Sequence, residues 1–137
     1  APLCLLNGKD YISYQGIQPV CYGMGYQRGA VHLEKGTSVT YEVNTTLPDS
    51  VGITVALAPN HPVEGKQLRY AISVNGEEPQ VVDYHTEGRS EEWKINVLTN
   101  QALRTTQHKV SNSNSLQLTI TALDEGVVID QLKIMNK

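Results

Sequence analysis

The chain has 137 residues, of which 39% are hydrophobic and 18% are charged, and its formal net charge is −3. This length and composition fit a single globular domain, residues 1–137, with one hydrophobic core. Without a Lys/Arg cluster or a run of about 20 apolar residues, the chain is not expected to bind nucleic acid or to span a membrane. It begins Ala1-Pro2 without a Met, which we interpret as a processed chain or a fragment of a larger protein.

Short strands separated by turn residues are predicted along the chain. Extended segments are expected, in chain order, at residues 3–6, 11–14, 20–22, 30–33, 37–46, 51–58, 67–74, 81–82, 92–98, 102–110, 116–122 and 127–135. Residues 102–110 fit a strand or a short helix, and their β-branched threonines favour the strand. Residues 23–29, 59–65 and 86–90 are predicted loops. Many short strands at roughly 8–12-residue spacing predict an all-β sandwich or barrel.

A hairpin at residues 67–82 has the clearest pattern. Tyr70, Ile72 and Val74 alternate with polar or small residues, which predicts a strand with one buried face. The Asn75-Gly76 pair that follows is a strong turn signal, because both residues tolerate positive φ. Val81-Val82 then begins the returning strand.

The two cysteines, Cys4 and Cys21, both lie among apolar residues. They fit one disulfide, if the chain is extracytosolic, or two buried free thiols. Free thiols are favoured, because two cysteines are a thin basis for a disulfide framework. Neither lies beside a Lys, Arg or His that would activate it as a nucleophile.

No catalytic constellation is recognisable. Asp83, His85 and Glu87 alternate along the chain, and such a set can ligate a metal, but a polar strand face that runs into a loop is the favoured explanation. No Gly-x-Ser-x-Gly, His-Glu-x-x-His or Cys-x-x-Cys motif occurs. Most acidic residues fall at predicted turns, where solvated carboxylates are the default. These residues are Asp49, Asp83, Glu91, Glu92, Asp124 and Glu125.

Aromatic residues near loops are the best candidates for sugar contacts, because aromatic rings pack on pyranose faces while their polar tips form hydrogen bonds. Trp93 also fits this role, but it alternates with Ile95 and Val97 and is therefore expected in the core. The candidate carbohydrate-binding residues are Tyr22, Tyr26, Tyr84, His85 and Arg89.

Three segments resemble the C-terminal domain of family 115 glycoside hydrolases, the xylan α-glucuronidases. Residues 68–76 read Leu-Arg-Tyr-Ala-Ile-Ser-Val-Asn-Gly and are followed by Pro-Gln-Val-Val at 79–82. Residues 118–130 read Leu-Thr-Ile-Thr-Ala-Leu-Asp-Glu-Gly-Val-Val-Ile-Asp, and residues 93–100 have the pattern Trp-x-x-x-Val-x-x-Asn. The resemblance covers about Gly16 to Met135. Asn75 stands where the family often has Asp.

The resemblance implies an antiparallel β-sandwich of jelly-roll type, similar to galactose-binding-like domains. It also implies a non-catalytic accessory domain of a secreted or periplasmic xylan-degrading enzyme, whose catalytic acids lie in a separate barrel domain. The implied partners are that barrel, a second subunit or the polysaccharide. The alternative function is a carbohydrate-binding module that recognises xylan or a related plant polysaccharide through loop aromatics.

The resemblance also bears on a calcium site. Related sandwiches hold a structural calcium with acidic residues in the opening strand and a late Asp, which corresponds here to Asp130. The opening strand of this chain instead has Ser13, Tyr14 and Gln15. We therefore expect no cofactor, and a hydrogen-bonding role for Asp130 in place of a metal ligand.

Overall fold

The structure is a computed structural model that describes residues 2–22, 29–58, 67–85, 102–111 and 113–136. Within these residues there is one 3-10 helix, Gly8–Asp10, and no helix is long and apolar enough to cross a membrane. The strands of the described residues are β1 (Cys4–Asn7), β2 (Ser13–Gln15), β3 (Val20–Tyr22), β4 (Ala30–Leu33), β5 (Ser38–Val43), β6 (Ser50–Leu57), β7 (Arg69–Val74), β8 (Gln80–Asp83), β9 (Ala102–Lys109), β10 (Leu116–Ala122) and β11 (Val127–Asn136).

The strands form two antiparallel sheets. The first has the order β3-β4-β11-β6-β9, with β1 also paired to β11, and the second has the order β2-β5-β10-β7-β8. Segment 102–110 is the strand β9, as its threonines predict. The strand expected at 92–98 and the loops expected at 59–65 and 86–90 lie outside the described residues, as does the loop expected at 23–29 except for Gly29.

Side-chain alternation explains why the sheets pack face to face. In β5, β7 and β10 every second residue is buried, while the intervening residues are mostly polar. The facing strand β6 contributes Val51, Ile53, Val55 and Leu57 to the same core. Burial of each such aliphatic side chain contributes about 1.5–3 kcal/mol before conformational entropy is subtracted.

The predicted hairpin is present as β7, a turn and β8. Asn75 and Gly76 have φ angles of 53° and 76°, in the left-handed region that their residue types tolerate. The Asn75 side chain also accepts a hydrogen bond from the Gln117 backbone N–H at 2.9 Å, while the Asn75 N–H donates to the Gln117 carbonyl at 2.8 Å. The turn is therefore attached to β10 as well as closing the hairpin.

Strand β11 is the centre of the first sheet. On one side it pairs with β4 through residues 127–129 and with β1 through residues 131–134, and on the other side it pairs with β6. The register with β6 shifts between Ile129 and Gln131, so the buried Asp130 lies at a β-bulge.

The 3-10 helix is fixed against the core by a close backbone approach at Gly8. A Cβ atom on this residue would lie 2.1 Å from the Ile129 carbonyl oxygen, which excludes any side chain without backbone movement. The buried Tyr41 hydroxyl of the opposite sheet donates a hydrogen bond to the Gly8 carbonyl at 2.7 Å. Burial raises the pKa of Tyr41, so this phenol stays protonated and remains a donor.

Some sequence-based bounds and burials differ from the structure. The strand expected at 11–14 is instead Ser13–Gln15. Cys4 and Cys21 are free thiols, as favoured, but the expected burial is wrong: Cys4 is partly buried and Cys21 is exposed. Cys21 lies on an edge strand, β3, which pairs only with β4 among the described strands, and this explains its exposure.

Candidate functional site

A charged cluster lies where β7 begins and β10 ends. Arg69 donates from Nε to Asp124 Oδ2 at 2.9 Å and from Nη2 to Asp124 Oδ1 at 3.2 Å, and its backbone N–H donates to Oδ2 at 2.9 Å. These hydrogen bonds lower the pKa of Asp124 and raise that of Arg69. Asp124 lies at the predicted turn and is partly exposed, but its carboxylate is paired with Arg69, which the sequence did not predict.

Asp83 lies next to this cluster, at the end of β8. Its Oδ1 atom accepts hydrogen bonds from the backbone N–H groups of Leu68, at 3.3 Å, and His85, at 2.9 Å. The carboxylate therefore fixes the chain as it leaves the sheet, and His85 follows as a half-buried residue. Glu87, the third member of the predicted alternating set, lies outside the described residues.

Tyr84 is buried and belongs to the core. Its ring centroid lies 5.9 Å from that of Tyr70, at an interplanar angle of 54°. Burial raises the pKa values of both phenols. An enclosed ring cannot stack on a sugar, so Tyr84 does not provide the exposed aromatic surface expected from the sequence.

The other predicted sugar-binding residues are not brought together by the described part of the chain. Tyr22 lies in β3 with its backbone opposite Ala30. Tyr26, Arg89 and Trp93 lie outside the described residues. The assignment of Tyr22, Tyr26, His85 and Arg89 to carbohydrate binding therefore stays a prediction.

A second polar cluster joins the β8 and β9 edges of the two sheets. The His108 ring contacts Glu77 Oε1 through Nδ1 and the Thr106 hydroxyl through Nε2, the latter at 2.6 Å. Nearby, Gln80 Nε2 donates to the Gln107 carbonyl at 3.0 Å. The order hydroxyl, imidazole and carboxylate is that of a catalytic relay, but the His108 side chain has no exposed surface. A substrate cannot reach the imidazole, so this cluster is structural.

Apolar side chains are exposed mainly near the start of the chain. We call Ile12, Tyr14, Ile17 and Val20 the β2–β3 edge strip, and their exposed fractions are 56%, 42%, 62% and 50%. On the opposite edge of the sandwich, Val81 and Leu103 are exposed by 60% and 54%. Isolated exposed apolar residues are ordinary, but four within nine residues of sequence form a candidate contact surface.

Residues 15–137 match the family described as the glycosyl hydrolase family 115 C-terminal domain. The chain belongs to this family. It is 42% identical to part of a family GH115 4-O-methyl-α-glucuronidase with specificity for decorated arabinogalactans, with a TM-score of 0.89. All of the chain is covered, but it spans only 18% of that enzyme's length. No curated protein matches the sequence.

The family 115 C-terminal domain also has the fold of carbohydrate-binding modules. A CBM35 from Cellvibrio japonicus Abf62 matches with a TM-score of 0.69 and 16% identity, covering 97% of this chain and 92% of the other. A CBM6 from Cellvibrio mixtus lichenase 5A, in complex with cellotriose, matches with a TM-score of 0.67 and 15% identity, covering 100% and 99%. These identities establish a shared β-sandwich fold alone.

The family assignment confirms two expectations from the sequence. The chain is an antiparallel β-sandwich, and it is an accessory domain of the family 115 glycoside hydrolases. The segments on which the resemblance was based include β7, β8, β10 and the start of β11, which form the hairpin and central strands of the sandwich.

No metal centre is assembled by the part of this family 115 C-terminal domain that the structure describes. No three His, Cys, Asp or Glu side chains come close enough together there to hold an ion. Asp130 is buried at the β11 bulge, so the described residues do not fit a calcium site around it. The expectation that the whole chain has no cofactor stays a prediction.

Proposed function

We propose that this domain is a structural part of an extracytoplasmic family 115 enzyme that removes α-linked glucuronic acid substituents from a plant polysaccharide. Membership of the family and 42% identity to part of a 4-O-methyl-α-glucuronidase support this activity for the whole enzyme. The sequence resemblance implies xylan as the polymer, whereas that relative is specific for decorated arabinogalactans. Both polymers are therefore substrates to test.

The structural role is supported by the pairing of polar side chains within the domain. Arg69 is paired with Asp124, and His108 contacts Glu77 and Thr106, so these groups stabilise the sandwich itself. Each cluster connects segments far apart in sequence. In this proposal the domain stabilises the catalytic barrel by packing against it.

Polysaccharide binding is the second candidate function. The likeness to carbohydrate-binding modules favours it, because the same β-sandwich carries sugar sites in those proteins. The residues proposed for it are Tyr22, Tyr26, His85 and Arg89. Tyr84 is left out because its ring is buried.

Two measurements on the complete enzyme and on the domain test these functions. The structural role predicts that deletion of the domain lowers the melting temperature of the enzyme and its activity on a short soluble substrate, which does not depend on polymer binding. The binding role predicts that the domain is retarded in gels containing glucuronoxylan or decorated arabinogalactan. This retardation should be lost in Tyr26→Ala and Arg89→Ala and kept in Tyr14→Ala.

The outcomes separate the two roles. Loss of stability without gel retardation supports the structural function. Retardation with unchanged stability and short-substrate activity supports binding and refutes the structural function. If deletion changes neither stability nor short-substrate activity, and the domain is not retarded in either gel, both functions are refuted.

A further inference from the structure

The β2–β3 edge strip follows one lateral edge of the sandwich. Among the described strands, β2 is an edge strand of the second sheet and β3 is an edge strand of the first, so residues 16–19 cross from one sheet to the other. Ile12, Tyr14, Ile17 and Val20 are therefore distributed over both sheets and the connection between them. The strip spans the thickness of the domain.

Backbone contacts hold the strip in place. The Ile17 N–H donates to Thr37 Oγ1 at 3.2 Å, and the Thr37 hydroxyl donates to the Ile17 carbonyl at 3.4 Å. The Ile12 N–H donates to the Thr40 carbonyl at 2.8 Å, and the rings of Tyr11 and Tyr14 meet edge to face at 6.2 Å. Such a surface loses little conformational entropy when a partner covers it.

The strip lacks the charges that protect exposed sheet edges. Residues 11–22 contain no Asp, Glu, Lys, Arg or His, although 18% of the whole chain is Asp, Glu, Lys or Arg. Solvent-facing edge strands usually carry charges that prevent pairing with other chains, and the centres of protein interfaces are depleted of charge. The opposite edge, formed by β8 and β9, has Asp83, Arg104 and Lys109. Of these two edges of the described strands, the β2–β3 edge is thus the one with the composition of a covered surface.

We propose that the β2–β3 edge strip is the surface through which this domain packs against the catalytic part of the same polypeptide. The inference rests on the proposed structural function and names the contact surface for it. A family 115 relative has most of its length outside this domain, since the chain spans 18% of it. In a C-terminal domain that length precedes the strip, which lies in the first strands.

The catalytic part is the favoured partner of the strip, because it is covalently connected to the domain. A tethered neighbour is present at an effective concentration in the millimolar range, so four apolar side chains can bind it without high intrinsic affinity. A polysaccharide fits less well, because three of the four side chains are aliphatic and offer neither a stacking ring nor a hydrogen bond to a sugar. A second copy of the chain is an outcome that the test distinguishes.

Cys21 lies in the same edge strand as Val20, on the other face of β3, and its exposed side chain reports whether a partner encloses this edge of the sandwich. The full-length enzyme is treated with iodoacetamide, and alkylation of Cys21 is followed by peptide mass spectrometry. Ile17→Lys/Val20→Lys disrupts the strip, and Val81→Lys/Leu103→Lys is the control of closely matched exposure on the opposite edge. All four side chains are at least half exposed in the isolated domain, so these changes leave its core intact.

Packing through the strip predicts slow alkylation of Cys21 in the wild type and the control, and an acceleration of at least tenfold in Ile17→Lys/Val20→Lys. Light scattering measures the mass of each form and should show no difference between them. Equal alkylation rates in all three forms would overturn the inference. A wild-type dimer that becomes monomeric only in Ile17→Lys/Val20→Lys would overturn it in favour of a second copy.

The alkylation result is independent of the domain-deletion test. Rapid alkylation in the wild type, together with loss of stability on deletion, would mean that the domain packs through another face. In that case the proposed function stands and the strip assignment fails. Unchanged stability on deletion refutes the proposed function itself.

Discussion

Replacement of His108 by alanine removes the centre of the polar cluster between β8 and β9. The wild-type imidazole contacts Glu77 through Nδ1 and the Thr106 hydroxyl through Nε2. The two sheet edges would then be joined in this cluster mainly by the Gln80 hydrogen bond to the Gln107 carbonyl. We expect the variant to fold but to unfold at much lower denaturant concentration.

The size of the effect follows from burial. The His108 side chain is 0% exposed, so its truncation leaves a buried cavity and removes the partner of Thr106. Each lost hydrogen bond to a buried group costs about 1–3 kcal/mol. The Glu77 side chain is 31% exposed and regains water, so the cost of its lost hydrogen bond lies at the lower end of this range. With the cavity included, we expect a loss of about 3–4 kcal/mol, which lowers the melting temperature by about 10 °C.

Urea unfolding followed by far-ultraviolet circular dichroism measures this loss. Lys109→Ala, on the exposed neighbour of His108 in the same strand, is the control and should stay within about 0.5 kcal/mol of the wild type. A double-mutant cycle with Glu77→Ala should give a coupling energy of at least about 0.5 kcal/mol. A loss below about 1 kcal/mol for His108→Ala, or no coupling, would refute the role of the cluster as a link between the sheets.

Three further predictions concern other contacts. Hydrogen bonds from Arg69 lower the pKa of Asp124 in the folded protein below its ordinary value of 3.8. Ionised Asp124 therefore stabilises the fold above pH 3.8, and this stabilisation is lost as the pH falls from 3.8 through the pKa of Asp124 in the folded protein. The stability difference between the wild type and Asp124→Asn in urea unfolding should therefore shrink from pH 7 to pH 3, and a constant difference would contradict the pairing. Tyr41→Phe should lower the free energy of unfolding by about 1–2 kcal/mol, because the Tyr41 hydroxyl donates to the carbonyl of buried Gly8. Tyr70→Phe should change stability little, since the buried Tyr70 hydroxyl has no partner among the described residues. Equal losses for the two variants in calorimetry would refute this contrast. Asn75→Ala should lower the free energy of unfolding by about 1–2 kcal/mol, because alanine tolerates the left-handed φ poorly and cannot accept the hydrogen bond from β10. Asn75→Asp can keep both the φ angle and the hydrogen bond, and it should be less destabilised than Asn75→Ala in thermal unfolding.

Local patterns were sufficient to predict most strands, because alternation is a property of neighbouring residues. Tyr70, Ile72 and Val74 are buried as their spacing predicts, and Asn75-Gly76 turns as its tolerance of positive φ predicts. The strand at 11–14 was misplaced because β2 is short and exposed throughout, so no buried face imposes a register on its side chains.

The polar clusters could not be predicted in this way, because their members are far apart in the chain. Arg69 and Asp124 are 55 residues apart, and His108 and Glu77 are 31 apart. One signal was available in β9: Arg104, Thr106 and His108 alternate as polar residues on the side of the strand that is less exposed. A polar set on an inward face indicates that the strand meets polar partners across the sandwich.

Tyr84 shows a different limit of sequence reasoning. It follows the last residue of β8, where the alternation of the strand no longer fixes the direction of a side chain. Its burial against Tyr70 depends on the return of the chain toward Leu68, whose carbonyl accepts the Tyr84 N–H at 3.0 Å. Proximity to a predicted loop was therefore a poor guide to exposure.

The central position of β11 has a consequence for synthesis of the protein. This strand is the last described element to leave the ribosome, yet β1, β4 and β6 all pair with it. Until it emerges, these three earlier strands lack their common partner and expose backbone groups that could pair with other chains. Completion of the first sheet thus waits for the last described strand, and an enzyme shortened before β11 would carry an unfinished sandwich.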